Sequence, residues 1–263
     1  MEFRIHEYVI LRRSARLRLL EMHYRSGVGH IGGNLSCLDM LLVLYHHKML
    51  EHDQFVLSKG HAAGALYIAL WSIGQIEDGE LSHFHKDNTR LSGHPPPRGL
   101  PAVEFATGSL GHGLSLAAGL ALGRLLKGES GHVYCVLSDG EWDEGSNWEA
   151  LLFATHRRLN NLTLLIDLNG MQGFGSTSEV ANLEPFGAKF RSFGAEVHEI
   201  DGHNPVELLH ALAAPATNGG PKVIIARTKK GCGVSFMEGR MEWHYLPLNE
   251  TQYKQATGEI ECA

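Results

Sequence analysis

Asp139 and Asn169 stand thirty positions apart in the chain, each followed directly by a glycine. An aspartate and an asparagine offer the hard oxygen ligands that Mg2+, Mn2+ or Ca2+ takes, with a backbone carbonyl as a third ligand and diphosphate oxygens completing the shell. Histidines recur in glycine-dense turns: Gly29-His30-Ile31-Gly32-Gly33, Lys59-Gly60-His61-Ala62, Ser92-Gly93-His94-Pro95 and Gly111-His112-Gly113. Such turns, where they open helices, present free backbone N–H groups and a positive dipole end, which suits a phosphate-bearing ligand. Imidazoles held among them can move protons near neutral pH.

These residues need elements that bring them to one edge. The apolar runs 132–137 and 162–166 read as short buried strands, and residues 147–159 between them have the length and spacing of a helix. That is a βαβ unit with parallel neighbouring strands, and it puts Asp139 and Asn169 at the carboxyl ends, where open α/β sheets bind ligands. The expected fold is α/β, a parallel sheet with helices on both faces, formed as a single domain over residues 1–263. Further helices are expected at 3–26, 37–48 with Ser36 as N-cap, 62–73 and 114–126, and further strands at 55–57, 197–200 and 223–226. The arginines of the first helix read as a solvated or subunit-facing surface, Lys229 and Lys230 as exposed turn residues in preference to phosphate contacts, and His46, His47, His83 and His85 as surface histidines.

Composition narrows the function. The net charge is −6 with both signs mixed, so no basic field favours nucleic acid, and a small-molecule partner is expected. Cys37, Cys135, Cys232 and Cys262 lie far apart without metal-ligand spacing, which reads as reduced thiols of a cytoplasmic protein. No apolar run reaches the roughly eighteen residues of a membrane span, and the start of the chain, with Arg12 and Arg13, does not read as a signal peptide.

The order strand, Asp-Gly, helix, strand, Asn resembles the thiamine diphosphate signature, with Ser138-Asp139-Gly140 where that pattern has Gly-Asp-Gly. Gly-His-Ile-Gly-Gly at 29–33, Leu-Ser-Lys-Gly-His-Ala at 57–62, Ser-Gly-His-Pro at 92–95 and Thr-Gly-Ser-Leu-Gly-His-Gly at 107–113 are similar, in order and spacing, to transketolases. The resemblance runs from about residue 10 to about 246 and covers the domain that holds the diphosphate (the PP-type, N-terminal domain), as in the N-terminal subunit of a split transketolase.

That resemblance implies that Asp139, Asn169 and the Met171 carbonyl hold the divalent cation, and that His61, Gly108, Leu110, Gly111 and Gly140 lie on thiamine diphosphate. It implies His30, His94 and His244 at the reacting sugar, and Glu144 and Glu149 at a subunit interface linking two active sites. The reaction implied is transfer of a two-carbon ketol unit from a ketose to an aldose. The glutamate that activates the cofactor would come from a pyrimidine-binding domain on a partner chain, in an α2β2 heterotetramer. Where transketolases have His-Gly, this chain has His244-Tyr245, which makes the role of His244 the least direct transfer. Other thiamine diphosphate enzymes, a specialised transketolase for an unusual ketose, and a non-catalytic binding subunit remain as alternatives.

Overall fold

A computed structural model describes residues 3–262. In chain order the elements are α1 (Ile5–Ser26), α2 (Ile31–His47), β1 (Gln54–Leu57), α3 (Ala63–Ser72), α4 (Gly113–Lys127), β2 (Val133–Ser138), α5 (Gly145–His156) and β3 (Leu162–Leu168). A two-residue-per-strand ribbon, β4 (Met171–Gln172) and β5 (Gly175–Ser176), follows. Then come α6 (Thr177–Val180), α7 (Phe186–Ser192), β6 (Glu196–Asp201), α8 (Pro205–Ala213), β7 (Lys222–Arg227) and α9 (Glu250–Cys262).

Five strands form one parallel sheet in the order β1-β2-β3-β7-β6, with Ser138 opposite Asp167 and Leu168 opposite Arg227. Successive strand residues point to opposite faces, so each strand feeds two cores. Phe55, Leu57, Tyr134, Val136, Leu165 and Ile224 pack with α1, α2, α3 and α8. Val56, Cys135, Leu137, Leu164, Ile166 and Ile225 pack with α4, α5 and α7 on the other side. Because both faces are covered, the central strands are mostly apolar on both sides instead of alternating, which is why they read as continuous runs.

Two sequence expectations change here. Helix α2 begins at Ile31 and not after Ser36, and its start is His30 in a left-handed conformation with φ 65°. Gly32 and Gly33 are therefore inside a helix, where a side chain on Gly32 would meet Lys230 and Trp243 at 3.1 Å. Close packing keeps this turn glycine-rich in spite of the helical cost. Ser36 is buried, and its hydroxyl donates to Asp167 at 2.6 Å with the Gly33 carbonyl also within 3.0 Å. The second change concerns Arg16, which is buried in α1 and paired with Asp39 of α2 at 3.0 Å, so this arginine holds two helices together and is not surface.

Candidate active site

The carboxyl ends of β1, β2, β3 and β7 run into Ser58–His61, Asp139–Gly140, Asn169–Met171 and Thr228–Lys230 respectively. Together with the start of α2 they enclose a cavity of about 450 Å3, lined in part by His30, His61, His94, Asp139, Lys230 and His244. Gly108, Leu110, Gly140, Glu144, Asn169 and Met171 also face it. Gly111 and Glu149 do not line it. Gly111, at φ 82°, packs against Glu144 and Ser146 and donates its N–H to Glu141, whereas Glu149 is exposed on α5.

Four imidazoles converge. The His30 ring lies 5.5 Å from His61, 6.3 Å from His94 and 5.1 Å from His244, centroid to centroid, and His61 and His244 are 5.8 Å apart. Burial is the main cause that lowers all four pKa values. Lys230 is the next cause for His244, which falls to about 3, and Lys59 the next for His61. The site therefore presents neutral rings that can both donate and accept hydrogen bonds. His30 Nδ1 is buried without a hydrogen-bond partner, an unfilled polar position beside the cavity.

On the β2 and β3 side, Asp139 is buried, with Oδ1 accepting from Gly140 N–H at 2.8 Å and Oδ2 from Gly170 N–H at 2.6 Å. Burial, then the nearby Asp167, raises its pKa to about 7 despite those two bonds. A buried carboxylate held up in this way is a position where a cation would restore ionisation. Asn169 Oδ1 accepts from Met171 N–H at 3.1 Å, and Asp139, Asn169 and Met171 line the same cavity with oxygen-bearing groups. That chemistry fits a hard divalent cation. The adjoining glycine turns pack directly on one another at the cavity's edge: a side chain on Gly60 would lie 2.7 Å from the backbone at Thr107 and Gly108, and Gly108 lines the cavity.

Lys59 and Glu141 are absent from the sequence reading of the site, and Lys230 departs from the exposed turn residue preferred there over a phosphate contact. Lys230 is 2% exposed and not a turn lysine in solvent: its ammonium reaches His244, and burial and the Lys59 charge lower its pKa to about 8. Lys229 is exposed and pairs with Glu238, as expected. Lys59 is fully buried and ion-paired with Asp167, which also accepts from Ser36 and Thr228. Glu141 is buried and accepts from Ser58 Oγ, Ser138 N–H and Gly111 N–H, tying three of the turns together. The signal for Lys230 was its place after a buried parallel strand, which outweighs the turn composition around it. Of the histidines read as surface, His83 and His85 are exposed, but His46 and His47 are half-buried, with His46 bonded to Ser72.

A second cluster, Asp39, His203 and Cys232, brings possible metal-ligating atoms within 4.8 Å. Asp39 and His203 are already engaged with protein donors. Asp39 accepts from Tyr8, Arg16 and His203 Nδ1, and His203 Nε2 accepts from Lys229 N–H. It works as an ion-pair node behind the site.

Comparison with known proteins agrees with this geometry. The family of the transketolase thiamine diphosphate-binding domain matches residues 13–260. One of the subunits of the apulose-4-phosphate transketolase of Actinobacillus succinogenes is 39% identical over 242 residues, 89% of this chain and 88% of that one. The 6-deoxy-6-sulfo-D-fructose transketolase subunit SqwG of a Clostridium species is 40% identical over 252 residues, 92% of each. Among solved structures, transketolase of Campylobacter jejuni superposes with a TM-score of 0.88 at 28% identity, covering 99% of this chain and 43% of that one.

Proposed function

The chain belongs to the transketolase family through its thiamine diphosphate-binding domain, and from that premise we propose that it is the cofactor-holding subunit of a two-chain transketolase. It acts on sugars with a second subunit that carries the pyrimidine-binding domain, two copies of each forming the active complex. One observation carries the reading: an oxygen-ligand set at Asp139, Asn169 and Met171 shares a single cavity with four neutral imidazoles and Lys230. Relatives of nearly the same length are themselves named as single subunits of a transketolase, which supports the division into two chains.

Asp139, Asn169 and the Met171 carbonyl would hold Mg2+, and His61, Gly108, Leu110 and Gly140 would hold thiamine diphosphate, with Gly111 shaping the turn behind them through its bond to Glu141. Bound, that cofactor supplies the electron sink for breaking the bond between C2 and C3 of a ketose and passing the two-carbon unit to an aldose. His30, His94 and His244, neutral near pH 7, donate and accept hydrogen bonds at the ketose hydroxyls and carbonyl and move protons there. Lys230 adds a positive charge at the diphosphate end. Glu144 and Glu149 face another chain across the subunit interface. Free cysteines throughout favour a reducing cytoplasm, and among the described residues no helix is long and apolar enough to cross a membrane.

A specialised transketolase for an unusual ketose is a second reading, favoured by the apulose 4-phosphate and sulfofructose substrates in the names of the relatives. Rates with those two donors, measured beside xylulose 5-phosphate, separate the two. The site assignment is tested by calorimetry with thiamine diphosphate and Mg2+. Binding should require the metal, and Asp139→Ala should abolish it while the circular dichroism spectrum is kept. A variant that binds as tightly as the parent contradicts the metal assignment.

A further inference from the structure

The ribbon that carries Met171 is too short to hold itself. Only Met171 with Ser176 and Gln172 with Gly175 are paired, and two-stranded ribbons of this size are not stable alone in water. Gly170, Gly173 and Gly175 add backbone freedom along it, and Phe174 at its tip is 90% exposed. Its shape therefore depends on what fastens it from outside.

Its base is held by the Gly170 N–H bond to Asp139 and the Met171 N–H bond to Asn169, and two further fastenings hold the part beyond Met171. In one, Gln172 Nε2 donates to Asp143 Oδ2 at 2.9 Å, and Gln172 packs so closely on Gly140 that a side chain there would lie 2.7 Å from its Cβ. In the other, Tyr245 Oη donates to the Gly173 carbonyl at 2.7 Å. A side chain on Gly173 would lie 2.8 Å from that hydroxyl, so the turn and the tyrosine are in direct contact. Tyr245 is itself fixed. Its ring lies 4.6 Å from His244, its carbonyl fills the space a side chain on Gly29 would need, and His30 N–H donates to the His244 carbonyl at 3.1 Å.

We infer that Tyr245 is a positioning residue for the metal site: its hydroxyl latches the Met171–Ser176 turn to the segment that carries His244, and so holds the Met171 carbonyl in register with Asp139 and Asn169. The role given to the Met171 carbonyl rests on the metal assignment proposed above, whereas the latch itself is a contact in this chain.

The test is Tyr245→Phe in the full chain, which keeps the ring and removes the hydrogen bond. Hydrogen exchange at the amides of residues 171–176 should quicken about fivefold, the weight of one hydrogen bond. The dissociation constant for Mn2+ in the presence of thiamine diphosphate, read from electron paramagnetic resonance, should rise by a similar factor. The thermal midpoint of the metal-free chain should stay where it is, since a general packing role would move that midpoint instead. Unchanged exchange, or unchanged Mn2+ affinity with quickened exchange, overturns the inference. A parent chain that binds no Mn2+ with thiamine diphosphate overturns the metal reading of the site, and the exchange data then still decide whether the latch exists.

Discussion

Lys230 Nζ lies 2.8 Å from His244 Nδ1. An ammonium has no lone pair, so Nδ1 is the acceptor, and the neutral ring of His244 must carry its proton on Nε2. One buried lysine thus sets the tautomer of a histidine on the cavity wall and places a positive charge beside it. Burial disfavours that charge, which is the usual signature of a group kept for binding an anion at a cost to stability.

Lys230→Met should therefore separate stability from binding. The folded pKa of Lys230 is lowered from 10.5 to about 8, so the charge destabilises the ligand-free protein fully below about pH 8, and the penalty fades as pH rises toward 10.5. At pH 7 the variant should be more stable by about 1–2 kcal/mol, after allowing for the lost hydrogen bond. The gain should vanish above pH 10, and affinity for thiamine diphosphate should fall at least tenfold. Urea unfolding across pH, with calorimetry, checks both halves.

His30→Ala and His61→Ala should lower turnover by different routes. His61 sits on the β1 turn beside Gly33 of α2, and its loss should weaken retention of thiamine diphosphate. His30, with a free Nδ1 at the centre of the imidazole cluster, should leave retention near that of the parent and slow turnover at saturating cofactor, on the order of a hundredfold. Wild-type rates for both in the reconstituted complex contradict these roles.

How much of this was legible in the sequence follows from burial. The runs 132–137 and 162–166 are nearly all apolar, His132 and Thr163 excepted, because helices cover both faces of the sheet, and Asp139 and Asn169 follow from where those runs stop. The start of α2 was not legible. Gly32 and Gly33 have poor helix propensity, and what keeps them helical is the close approach of Lys230, Trp243 and His61, contacts made across the fold. Lys59 and Asp167 were hidden for a similar reason: they lie more than a hundred residues apart, and each is tolerated in the interior only because the other is there. The Tyr245 latch spans residues 173 to 245 and leaves no local pattern at all.

Asp39 offers a stability test away from the chemistry. Burial alone would raise its pKa, but the hydrogen bond from His203 and the Arg16 guanidinium hold it below the ordinary carboxylate value. A lowered folded pKa means that its contribution is present in full above about pH 4 and is lost as pH falls through the folded value. Asp39→Ala leaves Arg16 buried without its partner and should cost about 3 kcal/mol at pH 7. The difference from the parent should shrink below pH 4, as followed by denaturant unfolding.

The central claim is that this chain holds the cofactor and reacts only with a second subunit. The direct measurement is ketol transfer from xylulose 5-phosphate to ribose 5-phosphate by the purified chain, saturated with thiamine diphosphate and Mg2+, first alone and then together with a pyrimidine-domain partner. The same assay is repeated with apulose 4-phosphate and 6-deoxy-6-sulfofructose as donors. The account predicts no turnover by the chain alone and turnover with at least one donor on adding the partner, in a complex with two copies of each chain. Robust turnover without any partner would contradict it.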